Sequence, residues 1–172
     1  MNSRLADIFA RRSIRKYTDQ FVDDELLNDL LEAAMAAPSA QACDPWHFII
    51  VRNPKVLGAL AELLENGRHL AHAAAGIVCC TDPHRAKDGR EEYALMDAAA
   101  AMTQLLLAAS TMGLGACWSE LHPFEERMAG TRALLKIPDA ILPVAIAALG
   151  WPAQRAEPRT RYRASAVHSE HW

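Results

Sequence analysis

Apolar residues recur along the 172-residue chain at two spacings, one typical of helices and one typical of strands. Helical spacing predicts a first helix capped by Ser3 and a second capped by Asp23, which Pro38 stops. Three further helices are predicted at 56–64, 91–112 and Glu125–Leu135. Short apolar runs bounded by turn residues predict strands at Trp46–Val51, 76–80, 116–118 and 143–149. This interleaving of helices and strands predicts one α+β domain over residues 1–172.

Two segments depart from the simple pattern. The predicted helix 91–112 is apolar nearly all round, and a helix without a polar face is expected to be buried on several sides. Gly113 and Gly115 end it. Residues 151–172 are rich in basic residues and contain Pro152 and Pro158, which predicts a polar, partly extended C-terminal tail.

Composition and charge exclude several classes of function. The formal net charge of -3 provides no global field that would attract nucleic acid or an anionic membrane. Polar residues interrupt the longest apolar stretch, 98–114, which argues against a membrane span, and the first residues lack a signal-peptide pattern. We therefore expect a cytoplasmic protein. The adjacent Cys79 and Cys80 lack the two-residue spacer of zinc sites, which disfavours a metal centre.

An arginine cluster near the N-terminus is the first candidate for chemistry. Arg11, Arg12 and Arg15 surround Ser13 where the first helix gives way to extended chain. Guanidinium forks suit phosphate, and a serine hydroxyl adds a donor. A solvated basic helix end explains the same residues equally well.

A second basic group lies in the tail. Arg159, Arg161 and Arg163 alternate, which places them on one face of an extended chain, where they could hold an anion. A floppy basic terminus is the alternative. Apolar anchors that a disordered tail would lack are present at Tyr162, Val167 and Trp172.

Four short blocks, in this order, resemble segments of the nitroreductase family of flavoproteins. They are RRSIRKY at 11–17, APSA at 37–40 followed by PWHF at 45–48, GLGACW at 113–118 and LGWP at 149–152. Each block alone is weak, but the ordered set spans almost the whole chain.

The resemblance implies a fold, an activity and a partner. The fold is a nitroreductase-like α+β fold with a central mixed β-sheet flanked by helices, in an intertwined homodimer. The activity is an FMN-dependent oxidoreductase that takes hydride from NAD(P)H and reduces a small-molecule acceptor, such as a nitroaromatic compound, a quinone or another flavin. Since tightly bound FMN carries the chemistry, no catalytic side chain is expected.

The resemblance also assigns cofactor contacts residue by residue. The phosphate and ribityl contacts are Arg11, Arg12, Ser13, Arg15, Gly150, Arg161 and Arg159. Residues approaching the flavin from the other subunit are Pro38, Ser39 and Ala40. Contacts near the ring are Asn66, Ser119 and Glu120.

The second block departs from the family pattern. Many members have Asn and Gln where this chain has Ala42 and Asp44, although Gln41 could replace the missing amide. A carboxylate close to the flavin would oppose the negative charge that reduction creates, so we expect Asp44→Asn to raise the flavin midpoint potential. A potentiometric titration checks this, and a potential that does not rise contradicts it.

Two alternative functions remain at this level. One is a specialised superfamily member, flavin-consuming or dehalogenating, for which 81–92 is the candidate substrate lid. The other is a flavin-binding sensor or carrier without turnover.

Overall fold

The computed structural model describes residues 2–172, which form five α-helices, four strands and several short 3-10 helices. The α-helices and strands are α1 (Ala6–Ala10), α2 (Asp24–Met35), β1 (Trp46–Val51), α3 (Pro54–Glu62), β2 (Ala75–Thr81), α4 (Glu91–Thr111), β3 (Gly115–Glu120), α5 (Glu125–Leu135) and β4 (Leu142–Gly150). Each predicted helix and strand therefore has its counterpart, with boundaries shifted by a few residues.

One of the two predicted helix caps is confirmed, and the other is wrong. The Asp23 side chain accepts a hydrogen bond from the Leu26 amide at 2.8 Å, so the predicted cap of α2 is confirmed. At the N-terminus the prediction was wrong by one residue. Asn2 accepts from the Arg4 amide at 3.0 Å, and Ser3 is already the first residue of a 3-10 turn that leads into α1.

The sheet has the strand order β1-β2-β4-β3, and every neighbouring pair of these strands is antiparallel. The expected mixed sheet is therefore antiparallel in its four strands. Its parallel component, within the described residues, is the isolated bridge between Ser13 and Ala116 at the β3 edge.

Helices cover both faces of the sheet. On β2, Ile77 packs into the core shared with α2 and α4, while Val78 packs into the core shared with α3. On β4, Ala147 packs into the core shared with α2 and α4, and Ile146 packs into the core shared with α3. Since both faces are buried, β2 and β4 read as continuous apolar runs instead of alternating ones.

Helix α4 is buried on one side only, which corrects the expectation of burial on several sides. Ala98, Ala101 and Leu105 are fully buried against the rest of the core. On the opposite side Met96 is 58% exposed, and Thr103 is exposed as well. The helix is long and apolar enough to cross a membrane, but here it packs across the sheet.

The tail begins as a continuation of β4 and then leaves the core. Pro152 forms a bridge with Tyr17, but almost every residue after 156 is exposed. Tyr162 is 72%, Val167 61% and Trp172 101% exposed. The three predicted apolar anchors therefore do not dock the tail onto the core, although the Trp172 ring stacks on His168 within the tail.

Candidate functional site

Backbone bonds fix the extended segment after α1 between β3 and the end of β4. The Ile14 amide donates to the Ala116 carbonyl at 2.9 Å, and the Thr18 amide donates to the Trp151 carbonyl at 2.8 Å. The Tyr17 hydroxyl donates to the Ile14 carbonyl at 2.7 Å, which ties the segment to itself. The arginines of this segment are therefore carried on a rigid support.

The tail returns to this segment and brings the two basic groups together. The Arg159 amide donates to the Phe9 carbonyl at 3.1 Å, and the Arg12 guanidinium donates to the Glu157 carbonyl. Repulsion from Arg12, and then from Arg161, lowers the pKa of Arg159. The predicted pairing of the two basic groups is thus present in the fold.

This basic cluster lacks counter-charges within the described chain. We define it as Arg11, Arg12, Arg15, Arg159 and Arg161. None of the ion pairs formed by residues 2–172 involves any of the five. Like charges held together without carboxylates favour an anion between them, and guanidinium groups match phosphate oxygens in geometry. The cluster therefore fits the phosphate of a nucleotide cofactor.

A polar pocket opens beside the cluster, between the arginine segment, β3, the turn that follows α3 and the first turn of α5. Four of the predicted cofactor residues line it: Arg15, Asn66, Ser119 and Glu120. Residues from three distant parts of the sequence thus converge on one cavity. Their contact with a cofactor remains a prediction.

Other residues that line the pocket, among them His69, Cys117 and Arg127, were not predicted as cofactor contacts. His69 and Arg127 stand alone in the sequence without a recognisable motif, whereas Cys117 lies within the block at 113–118. Their position depends on packing between distant elements, so only the fold reveals it.

His69 forms part of the pocket wall and is only 8% exposed. Its Nδ1 lies 3.1 Å from the Asn66 carbonyl oxygen and donates to it. Burial lowers the pKa of His69, the bond to Asn66 raises it, and the nearby Arg15 lowers it again. The ring is therefore neutral near pH 7.

Arg127 closes the rim of the pocket. Its guanidinium lies 3.3 Å from a Glu120 carboxylate oxygen and 3.7 Å from one of Glu65, and stacks 3.9 Å from the Phe124 ring centre. The side chain is only 13% exposed. Held by two carboxylates and an aromatic ring, Arg127 shapes the rim instead of offering a free cation to a ligand.

Cys117 lies at the bottom of the pocket, with 1% exposure. Burial raises the pKa of its thiol, although Arg15 and Arg11 partly oppose this. A protonated, buried thiol is a poor nucleophile. Covalent chemistry at Cys117 is therefore disfavoured.

Pro38, Ser39 and Ala40 lie outside this pocket. Pro38 borders a shallow apolar groove on the exposed side of α4. The Ser39 hydroxyl donates to the Asp44 carboxylate, and the Ala40 amide donates to the Asp97 carboxylate at 3.0 Å. Within one chain these residues therefore do not join the other predicted contacts.

The loop after Ala40 is held in an unusual conformation. Gln41, Ala42 and Asp44 have φ angles of 54°, 53° and 47°, in the left-handed region that non-glycine residues seldom adopt. Such conformations persist where surrounding contacts impose them, here the bonds to Asp97 and Ser39.

Gly150 has a packing role in this chain. A Cβ there would lie 2.9 Å from the Tyr17 ring, so the space above the glycine is occupied by that tyrosine. The contact between Gly150 and the cofactor remains a prediction, and such a contact would involve the backbone of Gly150.

Antiparallel strands between two helical layers, with a basic cluster beside a polar pocket, form an architecture with known relatives. The nitroreductase family model matches residues 8–67 and 61–151. A protein of Archaeoglobus fulgidus, provisionally named NADH dehydrogenase/NAD(P)H nitroreductase, is 39% identical over the full length of both chains. The chain belongs to the nitroreductase family, which confirms the resemblance.

Solved structures agree with the predicted fold. A crystal structure of a Parabacteroides distasonis protein with the same provisional name has a TM-score of 0.93 and 37% identity, and covers all of both chains. The crystal structure of a Desulfovibrio desulfuricans protein, provisionally named a nitroreductase, contains FMN. It has a TM-score of 0.83 and 31% identity, and the match covers 100% of this chain and 99% of the other. The predicted nitroreductase-like α+β fold is confirmed, and the predicted enzyme class and cofactors agree with these relatives.

Proposed function

We propose that this chain is an FMN-dependent oxidoreductase that takes hydride from NAD(P)H and reduces nitroaromatic, quinone or flavin-type acceptors. The observation that carries the proposal is the basic cluster without counter-charges beside a polar pocket, in a chain of the nitroreductase family. FMN supplies the hydride chemistry when bound, and the protein supplies binding and orientation.

The residues of the site divide this work between them. Arg11, Arg12, Arg159 and Arg161 hold the phosphate by charge and hydrogen bonds. Arg15 belongs to both the cluster and the pocket, and it places a positive charge where the reduced ring would carry a negative one. Ser13, Asn66, Ser119 and Glu120 complete the polar contacts.

We further propose that the active form is a homodimer. The chain exposes 10343 Å², whereas a compact monomer of 18.9 kDa exposes about 8300 Å² by the usual size scaling. The excess of about 2000 Å² per chain is of the size that obligate dimers bury. The outer side of α4, with the exposed Ile8 and Met96, and the unanchored tail are the surfaces that a second copy would cover.

A dimer would also complete the site. Pro38 borders the exposed side of α4, so a second copy seated there would carry Pro38 and the adjoining Ser39 and Ala40 towards a neighbouring pocket. We expect the protein to sediment as a dimer at micromolar concentration, and a version lacking 159–172 to dissociate more readily. A full-length monomer with FMN bound would contradict the proposed arrangement.

An acceptor screen under anaerobic conditions tests the activity itself. With NADH and NADPH as alternative donors, we expect steady oxidation of at least one of them when a nitroaromatic compound, a quinone or free flavin is present. FMN-loaded protein that turns over none of these would instead favour the sensor or carrier without turnover, which family membership makes the weaker alternative.

The specialised alternative lacks support from the segment proposed as its lid. Residues 81–92 lie against the chain through the buried Ala86 and a bond from the Asp82 amide to the Pro45 carbonyl at 2.8 Å. They do not line the pocket. Cytoplasmic location remains our proposal from the sequence pattern alone.

A further inference from the structure

Asp97 is a buried acidic residue of α4, and its side chain is only weakly satisfied. The residue is 5% exposed. Its Oδ1 accepts a hydrogen bond from the Ala40 amide at 3.0 Å, whereas Oδ2 exposes less than 1 Å² and has no hydrogen-bond partner. None of the ion pairs formed by residues 2–172 includes Asp97. Burial of a carboxyl group with one hydrogen bond and no cation costs free energy, so this residue calls for an explanation beyond the stability of the fold.

The single hydrogen bond of Asp97 holds the loop that follows α2. Residues 39–44 otherwise bond to one another, for example through the Ala40 carbonyl, which accepts from the Cys43 amide at 3.2 Å. Among the hydrogen bonds of residues 2–172, the bond to Asp97 is the one that connects this loop with another element of the fold. Three residues of the loop have left-handed backbone angles, which persist only where the surroundings impose them. Asp97 is therefore the anchor of a strained loop.

The anchored loop adjoins the surface that the proposed dimer would bury. Pro38 borders the apolar groove on the exposed side of α4, together with Ala99 and Ala100. These two alanines follow Asp97 by two and three residues along the same helix. Asp97 thus holds, from inside its own subunit, a segment that this subunit would present to a second copy.

We propose that Asp97 is a positioning residue for the flavin site of the opposite subunit. It fixes Ala40, and with it Pro38 and Ser39, in the conformation in which one subunit presents them to the FMN bound by the other. The inference rests on the proposed function, because it takes both FMN and the homodimer as given. A segment that is already fixed loses little conformational entropy when the ligand arrives, so its preorganisation increases affinity. Asp97 acts through this segment and does not itself touch the cofactor.

Two variants remove the hydrogen bond from opposite ends. Asp97→Leu removes the acceptor, and Ala40→Pro removes the donor, at a position where the preceding Ser39 has the extended angles (φ −129°, ψ 158°) that suit a following proline. We expect each variant to weaken FMN binding by roughly tenfold, as suits the loss of one hydrogen bond. Asp97→Asn keeps an oxygen acceptor and should retain most of the affinity.

Asp29→Leu is the matched control, since it makes the same substitution at an exposed position of α2. It should leave FMN affinity unchanged. Wild-type affinity in both Asp97→Leu and Ala40→Pro would overturn the inference. A loss of affinity in Asp97→Asn equal to that in Asp97→Leu would also overturn it, because the hydrogen bond would then not be the cause.

Mixed dimers distinguish positioning across the interface from a structural role within one chain. The Arg159 amide bonds to Phe9 of its own chain, so its guanidinium serves the site of its own subunit. Asp97→Leu and Arg159→Ala subunits are coexpressed with different tags, and the mixed dimer is purified through both tags. If Asp97 acts on the opposite site, one site of this dimer contains neither substitution. The mixed dimer should then bind one FMN with wild-type affinity and the second only weakly.

Two weak sites in the mixed dimer would overturn the inference, because each site would then contain one of the substitutions. If Asp97→Leu does not fold, Ala40→Pro takes its place in the mixed dimer with the same expected result. Failure of the wild-type apoprotein to bind FMN, or a full-length monomer with FMN bound, would instead overturn the proposed function.

Discussion

Arg159→Ala is expected to weaken FMN binding by roughly tenfold or more without destabilising the apoprotein. Charge-assisted bonds to phosphate are among the stronger hydrogen bonds in proteins, so their loss lowers affinity. In the apoprotein Arg159 is repelled by Arg12 and Arg161, and its side chain belongs to no ion pair within the described chain. Its removal should therefore leave the melting temperature unchanged or slightly higher. Fluorescence titration with FMN and thermal unfolding measure the two effects.

Arg163→Ala provides the control for Arg159, because it removes the same charge from the same exposed tail. It should change FMN affinity much less. An equal loss of FMN affinity in both variants would indicate that the total positive charge of the tail, and not a specific contact of Arg159, favours binding. A fall in apoprotein stability with Arg159→Ala would indicate that the arginine supports the fold and not a phosphate site.

Gly67→Ala is expected to destabilise the protein by about 1–3 kcal/mol, as overpacking of a filled site usually does. An added Cβ would lie 2.5 Å from the Ala61 carbonyl oxygen and 2.5 Å from the Leu64 Cβ. Neither atom is the flexible end of a side chain, so the turn that carries Asn66 and His69 must move. FMN affinity should fall together with stability, which urea unfolding and FMN titration would measure.

Gly58→Ala is the matched glycine control, since a Cβ there meets nothing within 4 Å and the residue lies inside α3. Alanine is the better helix former, so this variant should be neutral or more stable by up to about 1 kcal/mol. Equal free energies of unfolding for Gly67→Ala and Gly58→Ala would show that the close packing around Gly67 does not hold the turn of Asn66 and His69 in place.

The elements of the fold were predictable because their signals are local. Burial on both faces makes β2 and β4 continuously apolar, and the side chain of Asp23 caps α2 through a bond three residues away. The exposed side of α4 could not be recognised in this way. Small apolar residues on that side look the same in sequence whether the sheet or a second chain covers them.

The site was predictable only in part for a related reason. Alternating arginines in the tail and a cluster after α1 suggested a shared anion, and the Arg159 amide bond to Phe9 joins the two groups. His69 gave no signal, because its place in the pocket wall depends on packing that exists only after folding. The sequence predicted that Tyr162, Val167 and Trp172 anchor the tail, but all three are exposed in the fold of one chain.

Anaerobic titration of the FMN-loaded protein with NADH and with NADPH tests the central claim most directly. We predict that at least one donor bleaches the visible absorbance of the bound flavin, one equivalent of donor for each FMN. Arg159→Ala should require more added FMN to show the same change, and Arg163→Ala should not. Wild-type protein that retains no flavin after excess FMN is removed, or bound flavin that neither donor bleaches, would contradict the account.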